Sequence, residues 1–301
     1  MKNRTSIIIV TVVLAVVAVS CQHVMAVVDT GAQIAGAVGV IDQNAADAIS
    51  VSSRAIGSAA EEITPEQEYY IGRAVAANIL SNYSIWNGNP ALTAYINKIC
   101  AAITINSPRP DVYNGYHVAI LDSNDINAFA TSGGHIFVTR GLINAAMSED
   151  ALAGVIAHEV AHIQLQHSIK AIRTSRITQA LMITGTSAAG AAAGLDVKEL
   201  TGIFNETVGE IVSTLVNSGY SQTQEFDADN TAMSLLASAG YSPSGLIDML
   251  GELKNVQTSS SGFGKTHPTP AQRITNAERS LGSYSVADTR TYRQSRFTAT
   301  R

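Results

Sequence analysis

The chain has 301 residues, of which 46% are hydrophobic and 14% are charged, and its formal net charge is −5. This composition supports a packed core and excludes a wholly disordered chain. The acidic balance excludes nucleic acid as an expected partner, because binding to phosphates depends on clustered positive charge. The two cysteines, Cys21 and Cys100, are too few for a disulfide framework or a four-thiolate metal site.

Residues 1–20 have the pattern of a bacterial export signal. Lys2 and Arg4 precede an uncharged, largely apolar run over residues 7–19. As a helix this run measures about 20 Å, which is shorter than the hydrocarbon core of about 30 Å. A basic start followed by a short apolar stretch predicts a secretory signal rather than a membrane-spanning helix.

The end of this signal offers two cleavage sites. Residues 18–21, Ala-Val-Ser-Cys, resemble a bacterial lipobox, in which cleavage precedes a cysteine that receives lipid. Lipidation of Cys21 would anchor the protein stably in a membrane, and Gln22 favours the outer membrane by resemblance to bacterial sorting patterns. Cleavage after Ala26 is the alternative, and it would release a soluble periplasmic protein.

The sequence of the rest of the chain predicts a tether, one folded domain and a tail. Residues 21–62 are rich in Ala, Gly, Val and Ser, and we expect a tether there. The arginines after residue 280 show no evident period, which predicts a loose C-terminal tail at 281–301. Helix start signals and two short strand patterns lie between these segments. The predicted elements are helices from Pro65 and from Pro90, strands at 117–121 and 135–139, and helices at about 149–172, at 222–239 and from about 243.

The helix predicted to begin at Glu149 carries the sequence His158-Glu-Val-Ala-His162. At about 100° per residue, the two histidines lie about 40° apart on one face of the helix and one turn apart. Their imidazole nitrogens can therefore bind one metal ion. Glu159 is turned about 100° from His158, which suits a base acting on water at the ion better than a ligand. Two buried, hydrogen-bonded helix histidines are the alternative interpretation.

A metal ion held by these histidines needs a third protein ligand. The three-histidine pattern is excluded, because Leu165 and Ser168 stand where it requires glycine and histidine. Glu225 and Asp229 lie four residues apart on a later predicted helix, so Glu225 can bind the ion. Asp229 can then accept a hydrogen bond from the distal nitrogen of a ligand histidine, expected to be His158. Two imidazoles, one carboxylate and an open position are typical of catalytic zinc, and we expect one Zn²⁺ per chain.

Four segments carry a resemblance to a known family. The sequence resembles the zinc endopeptidase family of HtpX and the CAAX prenyl proteases, metallopeptidase family forty-eight, and most closely its periplasmic lipoprotein branch. The resemblance implies an α+β, mainly α-helical, gluzincin-type metalloprotease domain at residues 63–280, with a small β-sheet whose edge strand flanks the active-site helix. The matching segments are residues 127–142, 158–167, 220–229 and 267–274.

The resemblance also implies a role for each matching residue. His158, His162 and Glu225 would hold the zinc ion, and Glu159 would activate the water molecule that attacks the peptide bond. In relatives, a histidine in the position of His267 lies over the metal. It would either donate to the developing oxyanion or occupy the fourth coordination position and keep the enzyme latent. Where the family usually has arginine, this chain has Gln222, which does not affect the metal ligands.

The first matching segment concerns the substrate. In the resembled fold, Asn127, Ala128, Phe129 and Ala130 form an exposed edge strand beside the metal-binding helix. An extended peptide can add to such an edge through backbone hydrogen bonds. An unfolded chain can present that strand, so we expect misfolded or unassembled exported proteins as substrates. The alternative function is a non-proteolytic envelope chaperone or assembly factor that retains the fold, and the intact Glu159 favours catalysis.

Overall fold

A computed structural model of the chain describes residues 21–43, 46–47, 50, 63–170, 209, 212–213, 219–256, 263–267 and 270–300. The expected export signal at 1–20 lies outside these residues. The chain divides into two compact units, Met1–Ile63 with Lys170–Gly202, and Thr64–Ile169 with Ile203–Arg301. Among the described helices, none has both the length and the apolar character needed to cross a membrane.

The described part of the first unit is mainly one helix. Helix α1 (Cys21–Ala37) occupies part of the segment that we expected to be a tether. The segment contains no proline and several alanines, and alanine has the strongest helix propensity of all residues. Residues 21–37 are therefore helical, and the role of this segment as a tether stays a prediction.

The second unit is mainly α-helical with one small sheet, which confirms the expected α+β class. Its helices are numbered on from α1 in chain order. Its elements are α2 (Pro65–Leu80), α3 (Pro90–Thr104), β1 (His117–Leu121), β2 (Ala128–Thr131), β3 (His135–Thr139), α4 (Arg140–Ala145), α5 (Glu149–Gln164), α6 (Gln222–Ser238), α7 (Ser244–Val256), α8 (Phe263–Thr266), α9 (Pro270–Leu281) and α10 (Arg290–Thr300).

Side-chain caps set the starts of the principal helices. The Thr64 side chain accepts a hydrogen bond from the backbone N–H of Gln67, and the Gln67 side chain accepts one from the backbone of Thr64. This reciprocal capping box begins α2, as its sequence predicts. The Ser148 side chain accepts from the backbone N–H of Ala151 and begins α5. Each cap satisfies a backbone donor that the first helical turn leaves free.

The sheet has three strands in the order β1-β3-β2. Strand β1 runs parallel to β3, with His117 opposite His135, and β2 runs antiparallel to β3, with Phe129 opposite Phe137. Helix α5 packs against β2, α3, α6 and α7, and every residue from its first turn to Ile163 is buried. The helix with the predicted metal-binding histidines is therefore the centre of this unit.

The prediction of a loose tail at 281–301 is wrong, because helix α10 covers most of it. Arg293 and Phe297 on this helix are buried. The Arg296 Nε atom donates to Oε2 of the buried Glu149 at 2.7 Å. These three α10 residues are spaced by three and four positions, so they share one face of a helix. That face packs against α5 and its first-turn carboxylate.

Helix α5 is shorter than predicted, because we expected it to continue to about residue 172. It ends at Gln164, and a helix begins again at His167. Between them, Gln166 has a φ of 54°, a left-handed conformation that cannot continue a right-handed helix. The break lies directly after the predicted metal-binding sequence, and it changes the direction in which His167 points.

Candidate active site

The two histidines of α5 point to the same place in the interior. Nε2 of His158 and Nε2 of His162 lie 3.0 Å apart. The exposed fractions of these residues are 0% and 2%, so their nitrogens are shielded from bulk solvent. The pairing follows from the four-residue spacing, which places both side chains on one face of the helix.

Helix α6 brings a carboxylate to this pair. Ser221 forms a capping box with Gln224 and begins the helix, which places Glu225 in its first turn. Oε2 of Glu225 lies 3.4 Å from Nε2 of His158, and Oε1 lies 3.4 Å from Nε2 of His162. The structure therefore brings together the three residues that the sequence analysis selected as metal ligands.

His267 lies in the same cluster. Its Nδ1 atom is 3.2 Å from Nε2 of His158 and 3.1 Å from Oε1 of Glu225. One ligand atom from each of His158, His162, Glu225 and His267 lies within 4.8 Å of every other. Of the two positions considered for His267, this arrangement corresponds to a fourth ligand rather than to a donor above the metal.

The geometry of the cluster fits a zinc ion. Tetrahedral zinc binds nitrogen and oxygen ligands at about 2.0–2.1 Å, which places neighbouring ligand atoms about 3.3 Å apart. Nε2 of His158 lies 3.0 Å from Nε2 of His162, 3.4 Å from Oε2 of Glu225 and 3.2 Å from Nδ1 of His267. Oε1 of Glu225 lies 3.4 Å from Nε2 of His162 and 3.1 Å from Nδ1 of His267. All four residues offer ligand atoms within 4.8 Å of one another. Nitrogen lone pairs that face one another at such short distances repel each other. A cation bound between them attracts each lone pair and so stabilises the arrangement. Imidazole and carboxylate are also the ligands of known catalytic zinc sites.

A second carboxylate and a buried arginine surround the ligands. Oδ1 of Asp229 lies 3.0 Å from Nδ1 of His158, the pairing that the sequence analysis expected. Nε of Arg273 donates to Oδ2 of Asp229 at 2.8 Å, and its Nη1 lies 2.9 Å from Oε2 of Glu225. Burial raises the pKa of Asp229, but Arg273 and His158 outweigh it and lower that pKa to about 2. Burial also raises the pKa of Glu225, but His267 and Arg273 outweigh it and hold that pKa well below its usual range. Both Asp229 and Glu225 therefore remain ionised.

The bridging role of Arg273 was not predicted from the sequence. This residue is fully buried and connects Glu225 with Asp229, one turn apart on α6. The available signal was its position in the fourth matching segment, six residues after His267. An arginine that close to a metal-binding histidine is suited to pairing with the ligand carboxylates.

Glu159 has the environment of a general base. It is 1% exposed, and within the described part of the chain its Oε1 atom has no hydrogen-bond partner. That atom lies 3.5 Å from Nε2 of His267. Burial raises the pKa of Glu159, which makes its carboxylate a better proton acceptor near neutral pH. The side chain therefore lies beside the ligand cluster without being a member of it.

Two neighbours of His162 complete the site. The Tyr220 ring stacks on the His162 ring, with centroids 4.2 Å apart and planes 18° apart. Nδ1 of His167 lies 2.8 Å from Nδ1 of His162. His167 therefore contacts the ring nitrogen of His162 that does not face the cluster. His117 and His135 are outside the cluster and contact Asn114 and Tyr69, respectively.

The expectation of an exposed edge strand is wrong. Strand β2 is an edge of the sheet and packs against α5. The four predicted substrate-binding residues, three of them in this strand, are nevertheless buried: Asn127 is 5%, Ala128 0%, Phe129 1% and Ala130 3% exposed. Helix α8 covers the start of this edge, because the Phe263 N–H donates to the carbonyl of Ile126. The Thr266 hydroxyl also donates to Oδ1 of Asn127, at 3.2 Å.

Comparison with known proteins decides the family. Residues 89–281 match the sequence pattern of Peptidase family M48. The chain belongs to peptidase family M48. The resemblance found in the four matching segments is thereby confirmed, and the protein is a metallopeptidase whose family generally uses zinc.

Several members of peptidase family M48 are similar to this chain. It is 31% identical to the metalloprotease LoiP of Escherichia coli over 187 residues, 61% of this chain and 69% of the relative. It is 26% identical to the beta-barrel assembly-enhancing protease of Escherichia coli over 227 residues, 73% of this chain and 45% of the relative. It is 29% identical to the mitochondrial metalloendopeptidase OMA1 of Schizosaccharomyces pombe over 196 residues, 63% of this chain and 53% of the relative. The chain thus spans about half the length of the last two, and relatives named as proteases do not favour the non-proteolytic alternative.

Proposed function

We propose that this chain is a zinc-dependent endopeptidase of the bacterial cell envelope that hydrolyses misfolded or unassembled exported proteins. The observation that carries the proposal is the convergence of His158, His162 and Glu225 on one buried point, with the carboxylate of Glu159 beside it. Two imidazoles and one carboxylate leave a position for substrate chemistry once His267 is displaced. The names of the relatives support an envelope protease.

In the proposed reaction, some residues bind the metal and another transfers protons. His158, His162 and Glu225 hold the metal, and zinc, when bound, supplies a Lewis acid that polarises the peptide carbonyl and activates water. Glu159 takes a proton from the attacking water and passes it to the leaving nitrogen. Asp229 holds the distal N–H of His158 and thereby keeps that ring oriented toward the metal.

His267 controls access to this chemistry in the proposed mechanism. Its Nδ1 faces the same point as the three other ligand atoms, so its ring takes the position that water and substrate need. We infer that this arrangement is a latent form, and that cleavage requires His267 to leave the cluster. The residue precedes α9 and follows α8, so a movement of the α8 segment would withdraw the ring.

The same segment governs the proposed approach of the substrate. Peptide addition to β2 requires that the contacts of Phe263 and Thr266 with Ile126 and Asn127 open. An extended, unfolded chain can replace them with its own backbone hydrogen bonds. This explains a preference for unfolded protein without a demand for a particular sequence. One relative is named a beta-barrel assembly-enhancing protease, which supports envelope proteins as the substrate class.

Cleavage of casein tests the proposed activity. We expect the purified chain to contain one zinc ion, to cut casein at internal peptide bonds, and to lose this activity with 1,10-phenanthroline. Adding zinc back should restore the cleavage, and mass spectrometry of the fragments identifies internal cuts. Cleavage that persists after complete zinc removal would contradict the proposal. Suppression of casein aggregation without any cut would favour the chaperone alternative.

The lipid anchor at Cys21 is a separate part of the proposal. Cys21→Ala removes the acceptor thiol, so we expect the variant to leave the membrane fraction and appear in the soluble periplasmic fraction. Cys100→Ala is the matched control, because Cys100 is a buried free thiol in the core and its replacement should leave fractionation unchanged. Membrane association of Cys21→Ala equal to that of wild type would refute lipidation and favour cleavage after Ala26.

A further inference from the structure

The second zinc-binding histidine has a different partner from the first. His162 directs Nε2 into the cluster, 3.0 Å from Nε2 of His158. Its other ring nitrogen, Nδ1, lies 2.8 Å from Nδ1 of His167, and both residues are buried. Nδ1 of His158 instead meets the carboxylate of Asp229. The two ligand histidines are therefore oriented by different chemical groups, one charged and one an imidazole.

The contact between the two Nδ1 atoms allows one arrangement of protons. Metal binding uses the lone pair on Nε2 of His162, so the proton of its neutral ring is on Nδ1. That proton needs a lone pair to accept it, so Nδ1 of His167 must carry no proton. A proton on each Nδ1 would place two hydrogens between nitrogens that are 2.8 Å apart. His167 therefore accepts through Nδ1 and carries its own proton on Nε2.

A break in the helix creates this contact. In a continuous helix, His167 would be turned about 140° from His162. The helix instead stops at Gln164, and Gln166 adopts a φ of 54°, the sole positive φ at a non-glycine residue among the described parts of the chain. The ring centroids of His162 and His167 are consequently 4.9 Å apart. Backbone conformations that are disfavoured for side-chain-bearing residues concentrate at functional sites.

Long-range contacts stabilise this helix break. The Gln166 side-chain amide donates to Oε2 of Glu68 at 3.1 Å, and Nη2 of Arg109 donates to the same oxygen at 3.0 Å. Nη1 of Arg109 also donates to the carbonyl of Ile163 in the last turn of α5. Glu68 is 1% exposed, so the carboxylate that both side chains share is shielded from water. The position of His167 is thus fixed by α2 and by the end of α5.

We propose that His167 is a positioning residue that keeps the proton of His162 on Nδ1 and so prepares Nε2 of His162 for zinc. The inference rests on the proposed zinc site. Tyr220 fixes the plane of the His162 ring by stacking, and His167 fixes which nitrogen faces the metal. A neutral acceptor adds no further negative charge to a site that already contains Glu225 and Asp229. Partners of this kind contribute about 10–100-fold to metal affinity.

Two substitutions of His167 distinguish the effect of its hydrogen bond with His162 from the effect of the space that its ring fills. Asn at position 167 can present Oδ1 near the former Nδ1 and accept the same hydrogen bond, whereas Leu fills similar space without an acceptor. We expect His167→Leu to weaken zinc binding about 10–100-fold and His167→Asn to remain close to wild type, measured by competition with a chromophoric chelator. Circular dichroism confirms that both variants fold. Wild-type affinity in His167→Leu, or equal weakening in both variants, would overturn the proposal.

A measurement on the wild-type protein needs no variant. Long-range ¹H–¹⁵N spectra of the zinc-loaded chain report the protonated nitrogen of each histidine ring. We expect His162 to be protonated at Nδ1 and His167 at Nε2, and protonation of His167 at Nδ1 would overturn the proposal. A wild-type chain that binds no zinc would instead contradict the proposed function. The two failures are therefore distinguishable.

Discussion

Glu159→Gln should lower kcat/KM for casein cleavage by about 10²–10⁴-fold, the range typical of losing a general base. The substitution replaces one carboxylate oxygen with an amide nitrogen and leaves the size of the side chain almost unchanged. The carboxylate it removes has a buried Oε1 atom without a hydrogen-bond partner among the described residues. The variant should therefore fold normally, and the loss should come from proton transfer alone.

The metal content of the Glu159→Gln protein is the control for this experiment. Glu159 is outside the four-residue ligand cluster, so the variant should retain one zinc ion per chain and the wild-type affinity for it. Zinc retained with cleavage lost identifies a base rather than a ligand. Cleavage at the wild-type rate would remove Glu159 from the mechanism, and loss of zinc would assign it a ligand role instead.

Glu225→Gln should cost the protein both its zinc and its activity. The neutral amide removes the one negative charge among the proposed ligands, and it also removes one of the two carboxylates that pair with Arg273, the one at 2.9 Å. Losing a ligand should weaken zinc binding by more than the roughly 10–100-fold expected for an outer partner. Zinc analysis after dialysis against a chelator measures the loss, and casein cleavage should fall with it.

Asp227→Asn is the matched control for Glu225→Gln. Asp227 lies two residues further along the same helix, but its side chain is exposed rather than aimed at the cluster. This variant makes the same change from carboxylate to amide and should bind zinc and cleave casein as the wild type does. Equal zinc retention in both variants would exclude Glu225 as a ligand, and equal loss would indicate a general effect of charge on α6.

The local part of the site could be predicted from the sequence. The four-residue spacing of His158 and His162 places both rings on one helix face, and this geometry needs no tertiary information. Glu225 and Asp229 repeat that spacing on α6, and the family resemblance connects the two helices. A helix cap such as Ser148 also involves only residues a few positions away in the sequence. The starts of the helices could therefore be predicted from the sequence.

The parts that sequence analysis missed depend on contacts between distant residues. Arg273 connects two carboxylates of another helix, and helical periodicity within α9 does not reveal that partner. The position of His167 follows from the left-handed conformation of Gln166, which a glutamine rarely adopts and which Glu68 helps to hold. Strand β2 was correctly expected beside α5, but its burial depends on the separate segment that begins at Phe263.

The C-terminal helix shows a signal that was present and overlooked. Arg293, Arg296 and Phe297 lie at helical spacing, but arginine is usually read as a surface residue. In the fold, Phe297 is buried and Arg296 pairs with the carboxylate of Glu149 at the start of α5. A buried carboxylate without a cationic partner is unfavourable. A carboxylate such as Glu149 in a predicted core helix therefore indicates that a basic residue elsewhere in the chain pairs with it.

Anomalous diffraction at the zinc absorption edge, from crystals of the purified chain, tests the metal site most directly. We expect one strong anomalous peak per chain, about 2.0–2.1 Å from Nε2 of His158 and Nε2 of His162 and in contact with the Glu225 carboxylate. A zinc-containing protein whose peak lies elsewhere, or whose Glu225 carboxylate points away from the peak, would contradict this expectation.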